Sequence, residues 1–389
     1  MGRRPPRLIP RRYSERVALN LSNPRSHQNG RRGGHCNQVL GFVAFGLLVA
    51  GCDLFAPMLP GGVAPGKDFD SAALLPLDAQ GKAVISGNIT NGKVDVYSLG
   101  RLEPGDRVIV SVRPASGSNL DPIICIFNSQ QEVFALNDDL DLSAGKIESY
   151  IDEVVTVADE PYYLAVTKYF FGDQTGAYVG DVEVRKGQAI PTPAQQIVML
   201  DFDGGVITIP GDRTYTTEPF DAANIDPAYA GKTDQIKAKI IETVQQNFRN
   251  TSLVIVTTDD PAPPVCTSTI FFGAFSETKF GVAQDVDAAN RDRCDDGLVF
   301  TNNFDDPFNP RPSADGIGVA IGNVAAHEMG HLLGLNHVAD VTALMDTTGS
   351  ASTLLTDQEF KTAPLSVTIF PTGKQNDMAL LGRVLPPKE

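Results

Sequence analysis

Past its first fifty-one residues the chain is short of positive charge, and throughout it is short of cysteine, histidine and long apolar runs. Residues 52–389 hold 23 Lys and Arg against 46 Asp and Glu, a net −23, whereas residues 1–51 hold nine Arg and one Glu. A surface of that sign repels phosphate backbones, which argues against nucleic-acid binding, and attracts cations, Ca²⁺ included. The apolar run Val39–Ala50 is twelve residues long, too short to span a bilayer comfortably as a permanent helix. There is neither a tandem repeat nor a coiled-coil pattern, and no Gly-rich loop precedes a helix in a convincing βα context, so no nucleotide-phosphate site is expected. Of the five histidines only three lie beyond residue 51, and all three fall within eleven residues of one another. What is present in quantity is turn chemistry: 36 Gly and 27 Pro without a period, in a chain of 389 residues that is 42% apolar and 20% charged. That describes a globular, β-rich protein of two or three domains.

The first fifty residues read as an address. An Arg-rich stretch ending at Arg31 and Arg32 leads into Val39–Ala50, which has the length of a signal-peptide core. The core closes on Val49, Ala50, Gly51 and Cys52, which resembles a bacterial lipobox. That resemblance implies cleavage before Cys52, acylation of Cys52 and a lipid anchor at the cell envelope or surface. An ordinary secretory signal, or an uncleaved anchor, are the competing readings, and both still export the chain.

Cys125, Cys266 and Cys294 then remain, an odd number for an exported protein. Cys266 and Cys294 share the C-terminal region and are expected to pair, leaving Cys125, in the apolar run IICIF, as a buried thiol.

Pro/Gly-rich stretches at 57–67 and 186–195 read as linkers. Between them, VDVYSL, RVIVSV, PIICIF, EVFAL, IDEVVTVA, PYYLAV and AYVGDVEV alternate with turn signals and no helical stretch intervenes, which predicts a β-sandwich. The succession Asp95-Val96-Tyr97, Glu103-Pro104-Gly105-Asp106, Leu120-Asp121-Pro122, Asn137-Asp138-Asp139 and Tyr162 to Val166 resembles the bacterial pre-peptidase C-terminal domain. The resemblance implies a jelly-roll-like sandwich accompanying a secreted peptidase, although here it precedes the region carrying the chemistry. Asp121, Asn137, Asp138 and Asp139, with Asp141, offer oxygens for a structural Ca²⁺. A solvated acidic hairpin is the preferred explanation, because Asn and Asp are default turn residues.

The C-terminal half carries HEMGHLLGLNH. His327 and His331 are four residues apart, so on a helix both imidazoles leave one face and can share a Zn²⁺. Glu328, one residue round, reaches a water on that metal and not the metal itself. Gly334 can adopt the left-handed conformation that ends the helix and returns His337 as third ligand. This is similar to the long zinc signature of the metzincin metallopeptidases, and Ala343-Leu344-Met345-Asp346 resembles their Met-turn, with Met345 as an apolar floor. The order strand 196–202, helix 233–248, strands 252–258 and 268–274, the GVAQDV segment, strand 297–304 and a helix near 317–333 also resembles their catalytic half-domain. Thr347 stands where some subfamilies carry a Tyr, so no Tyr role is assigned, and no cysteine-switch motif is found.

The expected architecture is multidomain: leader 1–51, linker 52–70, β-sandwich 71–187, linker 188–195, and an α+β zinc-peptidase domain 196–389. The family resemblance implies a zinc endopeptidase acting on proteins or peptides with one catalytic Zn²⁺ and Glu328 as general base, and a monomer is expected. The competing reading is a surface lipoprotein that binds a partner through the sandwich and holds a structural or vestigial metal. Two further groups are weaker. Asp201 and Asp203 suggest paired carboxylates or a strand-to-turn junction, and Asp295, Asp296, Asn302, Asn303, Asp305 and Asp306 suggest structural Ca²⁺ or an acidic loop.

Overall fold

The computed structural model describes residues 63–140, 145–263, 266–305 and 307–388; the leader, Cys52, Asp141 and Asp306 lie outside the described residues. The first body contains β1 (Ala73–Leu74), β2 (Lys82–Ile89), β3 (Asp95–Leu102), β4 (Arg107–Pro114), β5 (Pro122–Phe127), β6 (Val133–Asn137), β7 (Ser149–Val154), β8 (Asp159–Lys168) and β9 (Gly176–Arg185). One sheet runs β1-β3-β8-β5-β6 and the other β2-β9-β4-β7. Only β1 is parallel to its neighbour. The interleaved orders 2-9-4-7 and 3-8-5-6 are those of a jelly roll, in which the chain repeatedly crosses between two packed sheets.

Alternation explains the inner faces: Tyr97, Ile124, Ile126, Leu164, Val166, Val108, Val110 and Val182 form one buried cluster between the sheets. The uninterrupted run PIICIF is apolar at every position because β5 is buried on both faces. Ile123, Cys125 and Phe127 turn the other way and join Val96, Ala165, Phe69 and Phe370 in a second cluster that continues into the C-terminal body. A strand covered on both sides loses the polar alternation of a half-exposed one. Strand β2 escapes the alternation criterion because KAVISGNI carries Gly87 and Asn88 and is only half-buried along much of its length.

The second body opens with β10 (Ile197–Asp201) and the hairpin β11 (Gly205–Thr208) and β12 (Thr214–Thr217), followed by α1 (Thr233–Asn247), β13 (Val254–Thr257), β14 (Ser268–Gly273), β15 (Gly281–Ala283) and β16 (Asp296–Phe300). Then come α2 (Ala314–Leu332), β17 (Thr362–Pro364), β18 (Lys374–Asn376) and α3 (Asp377–Val384). The main sheet runs β13-β10-β14-β16-β15, parallel except for the edge strand β15. Helix α2 starts at Ser313, whose hydroxyl accepts from Gly316 N–H, a side-chain cap of the kind that satisfies a first-turn donor. It is apolar or small almost all round, as a helix buried on every side must be, and it packs on α1 on one flank and on β15 and β16 on the other.

Candidate metal centre

Three imidazoles converge at the C-terminal end of α2. His331 Nε2 lies 3.0 Å from His327 Nε2 and 3.1 Å from His337 Nε2. Two of the far nitrogens are fixed by main chain: His327 Nδ1 is 2.7 Å from the Leu344 carbonyl and His331 Nδ1 is 2.7 Å from that of Leu335. A carbonyl can only accept, so these two Nδ1 atoms carry the proton and their Nε2 atoms present lone pairs to the point that His337 Nε2 also approaches. Lone pairs about 3 Å apart repel one another unless a cation lies among them, and a tetrahedral ion with bonds of roughly 2.0–2.1 Å to nitrogen calls for about this spacing. The donor set fits Zn²⁺.

Burial keeps these ligands neutral. His327 is pushed down to about 4, and His331 and His337 well below the ordinary imidazole value, by loss of solvent first and, for His331 and His337, by neighbouring imidazoles second. A neutral imidazole binds metal without first losing a proton. The three rings and Glu328 are between 0% and 2% exposed, so the centre is closed to solvent.

Glu328 follows His327 on the helix and faces the edge strand. A Cβ added at Gly281 would fall 2.4 Å from Glu328 Oε1 and 2.8 Å from Val324 Cγ1, so a side chain there would displace the carboxylate. The carboxylate lies beside the Ala283 amide without a hydrogen bond of ordinary geometry. Burial raises its pKa well above the usual carboxylate range, and the charge of Lys279 opposes that rise.

The helix ends where His337 must leave it. Gly334 has φ of +88°, and a side chain there would meet the Asp287 carbonyl at 2.9 Å. The chain then returns past Met345, whose side chain is fully buried and packs against Gly330 of α2. Val338 N donates to Met345 O, and Asp346 closes the turn by accepting from Thr348 N, Thr348 Oγ1 and Gly349 N. Buried Asn323 ties this region to α1: its amide donates to the Leu354 and Thr356 carbonyls, and its oxygen accepts from Asn247 Nδ2.

The remaining candidates are placed as follows. Cys266 and Cys294 form a disulfide with Cα atoms 5.1 Å apart, and Cys125 is a buried free thiol in the contact between the two bodies. Asp121, Asp138 and Asp139 bring carboxylate oxygens within 4.8 Å of one another, while Asn137 Oδ1 accepts from Tyr150 N. Asp201 caps its own turn through Asp203 N, which accounts for the pair without catalysis. Asn303 fastens the 276–279 loop through Ser276 and Lys279, and Asp295 accepts from Ser268 Oγ. Among the described residues, only the three histidines and the three sandwich aspartates form groups of His, Cys, Asp or Glu close enough to share an ion. A cleft of about 1010 Å³ between the two bodies is lined by Gly334, Asn336 and the 284–296 acidic loop but by none of the three histidines. Spacing does not reveal the carbonyls of Leu335 and Leu344, nor Gln375 and Asp377 behind them, since these act through main chain or from outside the motif.

Residues 271–361 match the family model described as Matrixin. No curated protein matches the chain. Among solved structures, an archaemetzincin from Methanopyrus kandleri is 12% identical, covering 50% of this chain and 98% of its own, with a TM-score of 0.27. A zinc-dependent peptidase from Methanocorpusculum labreanum is 11% identical, covering 41% and 91%, with a TM-score of 0.25. The pre-peptidase C-terminal domain of a Bacillus anthracis collagenase is 20% identical, covering 29% and 94%, with a TM-score of 0.22. The matrixin match and the three-histidine cluster together support a zinc metallopeptidase in general terms.

Proposed function

We propose that the protein is an exported, lipid-anchored zinc endopeptidase in which His327, His331 and His337 hold the metal and Glu328 is the general base. The observation that carries this reading is the convergence of three Nε2 atoms, with the buried and unpaired carboxylate of Glu328 on the residue next to His327. A bound zinc supplies a Lewis acid and a water acidified toward neutral pH. The chain's own part is to orient and to move a proton. The Leu344 and Leu335 carbonyls hold two rings in the tautomer that binds metal. Glu328, with its pKa raised by burial, takes a proton at its carboxylate and returns it to the departing amine of a cleaved peptide. Met345 closes the floor beneath the rings with a side chain that offers no competing charge. Export and anchoring at Cys52 rest on the leader sequence, and protein or peptide is the substrate class this chemistry serves. The sandwich aspartates Asp121, Asp138 and Asp139 are proposed as a structural Ca²⁺ site on the same footing, since hard oxygens suit that ion.

One observation favours the competing reading of a non-catalytic metal, namely that the centre is closed to solvent. The test is metal content together with casein hydrolysis for the chain without its leader, wild type against Glu328→Gln. About one zinc in each, with cleavage reduced at least ~100-fold in the variant, is expected. Equal cleavage by both would remove Glu328 as base, and zinc in both with no cleavage by either would favour the competing reading.

A further inference from the structure

The loop between α2 and the third histidine is held by a side chain from a part of the sequence that carries no motif. Gln375, at the centre of β18 and fully buried, accepts from Asn336 N at 2.8 Å through Oε1 and donates to Asn336 O at 2.7 Å through Nε2. These two bonds seize two consecutive peptide groups. The first contains the Leu335 carbonyl, which receives His331 Nδ1, and the second contains the amide of His337. Rotation of either group would move a ligand: one redirects His331, the other displaces His337.

Gln375 is itself oriented. Its Nε2 also donates to Asp377 Oδ1 at 2.9 Å, and Asp377, equally buried, accepts from Lys361 N through Oδ2 at 3.0 Å. That arrangement fixes which end of the amide is nitrogen. The strand bearing it is tied on both sides. Strand β17 pairs with β18, Ser366 N donates to His337 O, and Leu365 pairs with Val338. On the far side Lys374 N donates to Gln131 O, Lys374 pairs with Glu132, and Asn376 Nδ2 donates to Glu132 Oε1 at 3.3 Å. A continuous lateral ladder therefore runs from the β5–β6 turn of the sandwich to the metal ligands.

We infer that Gln375 is a positioning residue for His331 and His337, and that the sandwich turn at Gln131–Glu132 steadies the strand carrying it. The inference rests on the three histidines being metal ligands. The test uses the chain without its leader and reads metal, not turnover: zinc affinity by competition with a chromogenic chelator, and the visible absorption of the Co²⁺-substituted protein. Gln375→Met keeps the bulk and removes both bonds; zinc is expected to bind about 10–100-fold more weakly, as for other residues that orient metal ligands, with an altered Co²⁺ spectrum. Asp377→Leu, which removes the acceptor of Gln375 Nε2 at similar bulk without touching Asn336, should shift both readouts the same way by less, and it decides the matter if Gln375→Met does not fold. Glu132→Ala should give the smallest shift in the same direction. Unchanged affinity and spectrum in a folded Gln375→Met, or in Asp377→Leu where the first does not fold, would overturn the inference. Unchanged values in Glu132→Ala alone would overturn the part assigned to the sandwich. Wild-type protein that binds neither Zn²⁺ nor Co²⁺ would bring down the metal reading itself, and this inference with it.

Discussion

The sandwich and the metal-binding body bury different kinds of side chain at their centres. Between the two sheets of the sandwich buried polar groups face one another: Tyr97 and Tyr178 share a hydrogen bond of 2.8 Å, Tyr178 reaches Asp95, and Lys93 lies 3.2 Å from that carboxylate. In the second body three imidazoles and Glu328 are just as deeply buried, but the three Nε2 atoms crowd about one point and the Glu328 carboxylate has no hydrogen-bond partner. A polar group buried without a partner costs stability. On the proposed reading the second body is completed at its centre by an ion, whereas the core between the sandwich sheets is closed by its own side chains, and the two should respond to different variables.

The largest expected effect is metal removal. Stripping zinc should lower the stability of the second body by about 4 kcal/mol or more, the mass-action value for a ligand near a thousandfold above its dissociation constant. Amide exchange in β4 and β9 should hardly change while that in α2 rises. Equal loss of protection in both would show that the two bodies unfold as one unit and would break the comparison. The contact between them is tested next. Phe370 is fully buried and its ring meets Phe127 of the sandwich at 5.6 Å. Phe370→Ala should cost about 3–4 kcal/mol, in the range for large-to-small core changes, and should separate the melting transitions in calorimetry. A single sharp transition in the variant would mean that the contact is not what couples them.

A smaller effect distinguishes the bodies by pH. Burial raises the Asp295 pKa from 3.8 to about 8. The folded state then holds a proton that the unfolded state has released, so this residue makes stability fall as pH rises from about 4 to about 8, with no contribution below that window. Asp295→Asn, which keeps an acceptor for Ser268 Oγ, should flatten that slope and gain about 1–2 kcal/mol at pH 8. Denaturant melts at pH 4 and pH 8 read it directly; an unchanged difference between the two pH values would show that Asp295 ionises freely. The smallest effect belongs to the rim, where Arg291 pairs with Glu153 across the two bodies and its own side chain is 63% exposed. Glu153→Gln should lower the unfolding free energy read from urea melts by no more than about 1 kcal/mol, and a larger loss would make the polar rim, rather than the Phe127–Phe370 contact, the main fastening.

Short-range pattern accounts for most of what could be read in advance. Alternation in RVIVSV and AYVGDVEV places β4 and β9, and the four-residue step from His327 to His331 puts two rings on one helical face whatever surrounds them. The reading weakens where pattern does. Gly87 and Asn88 hide β2, and the three-residue strands β17 and β18 are too short to show a period. Gln375 looks like any polar residue in GKQND, because a side chain that grips main chain leaves no mark on the sequence it grips.

By itself, then, the sequence determined the kinds of element, the pair of histidines on one helix, Glu328 beside them and the sign of the surface charge, since each depends on neighbours a few residues apart or on composition alone. Tertiary structure decided the rest. The convergence of His337 on the other two rings, the closure of the centre, the burial of both faces of β5 and the grip of Gln375 on Asn336 all depend on hydrogen bonds and packing between segments far apart in the chain. Such contacts are specified by the fold as a whole, and no local spacing of residues encodes them.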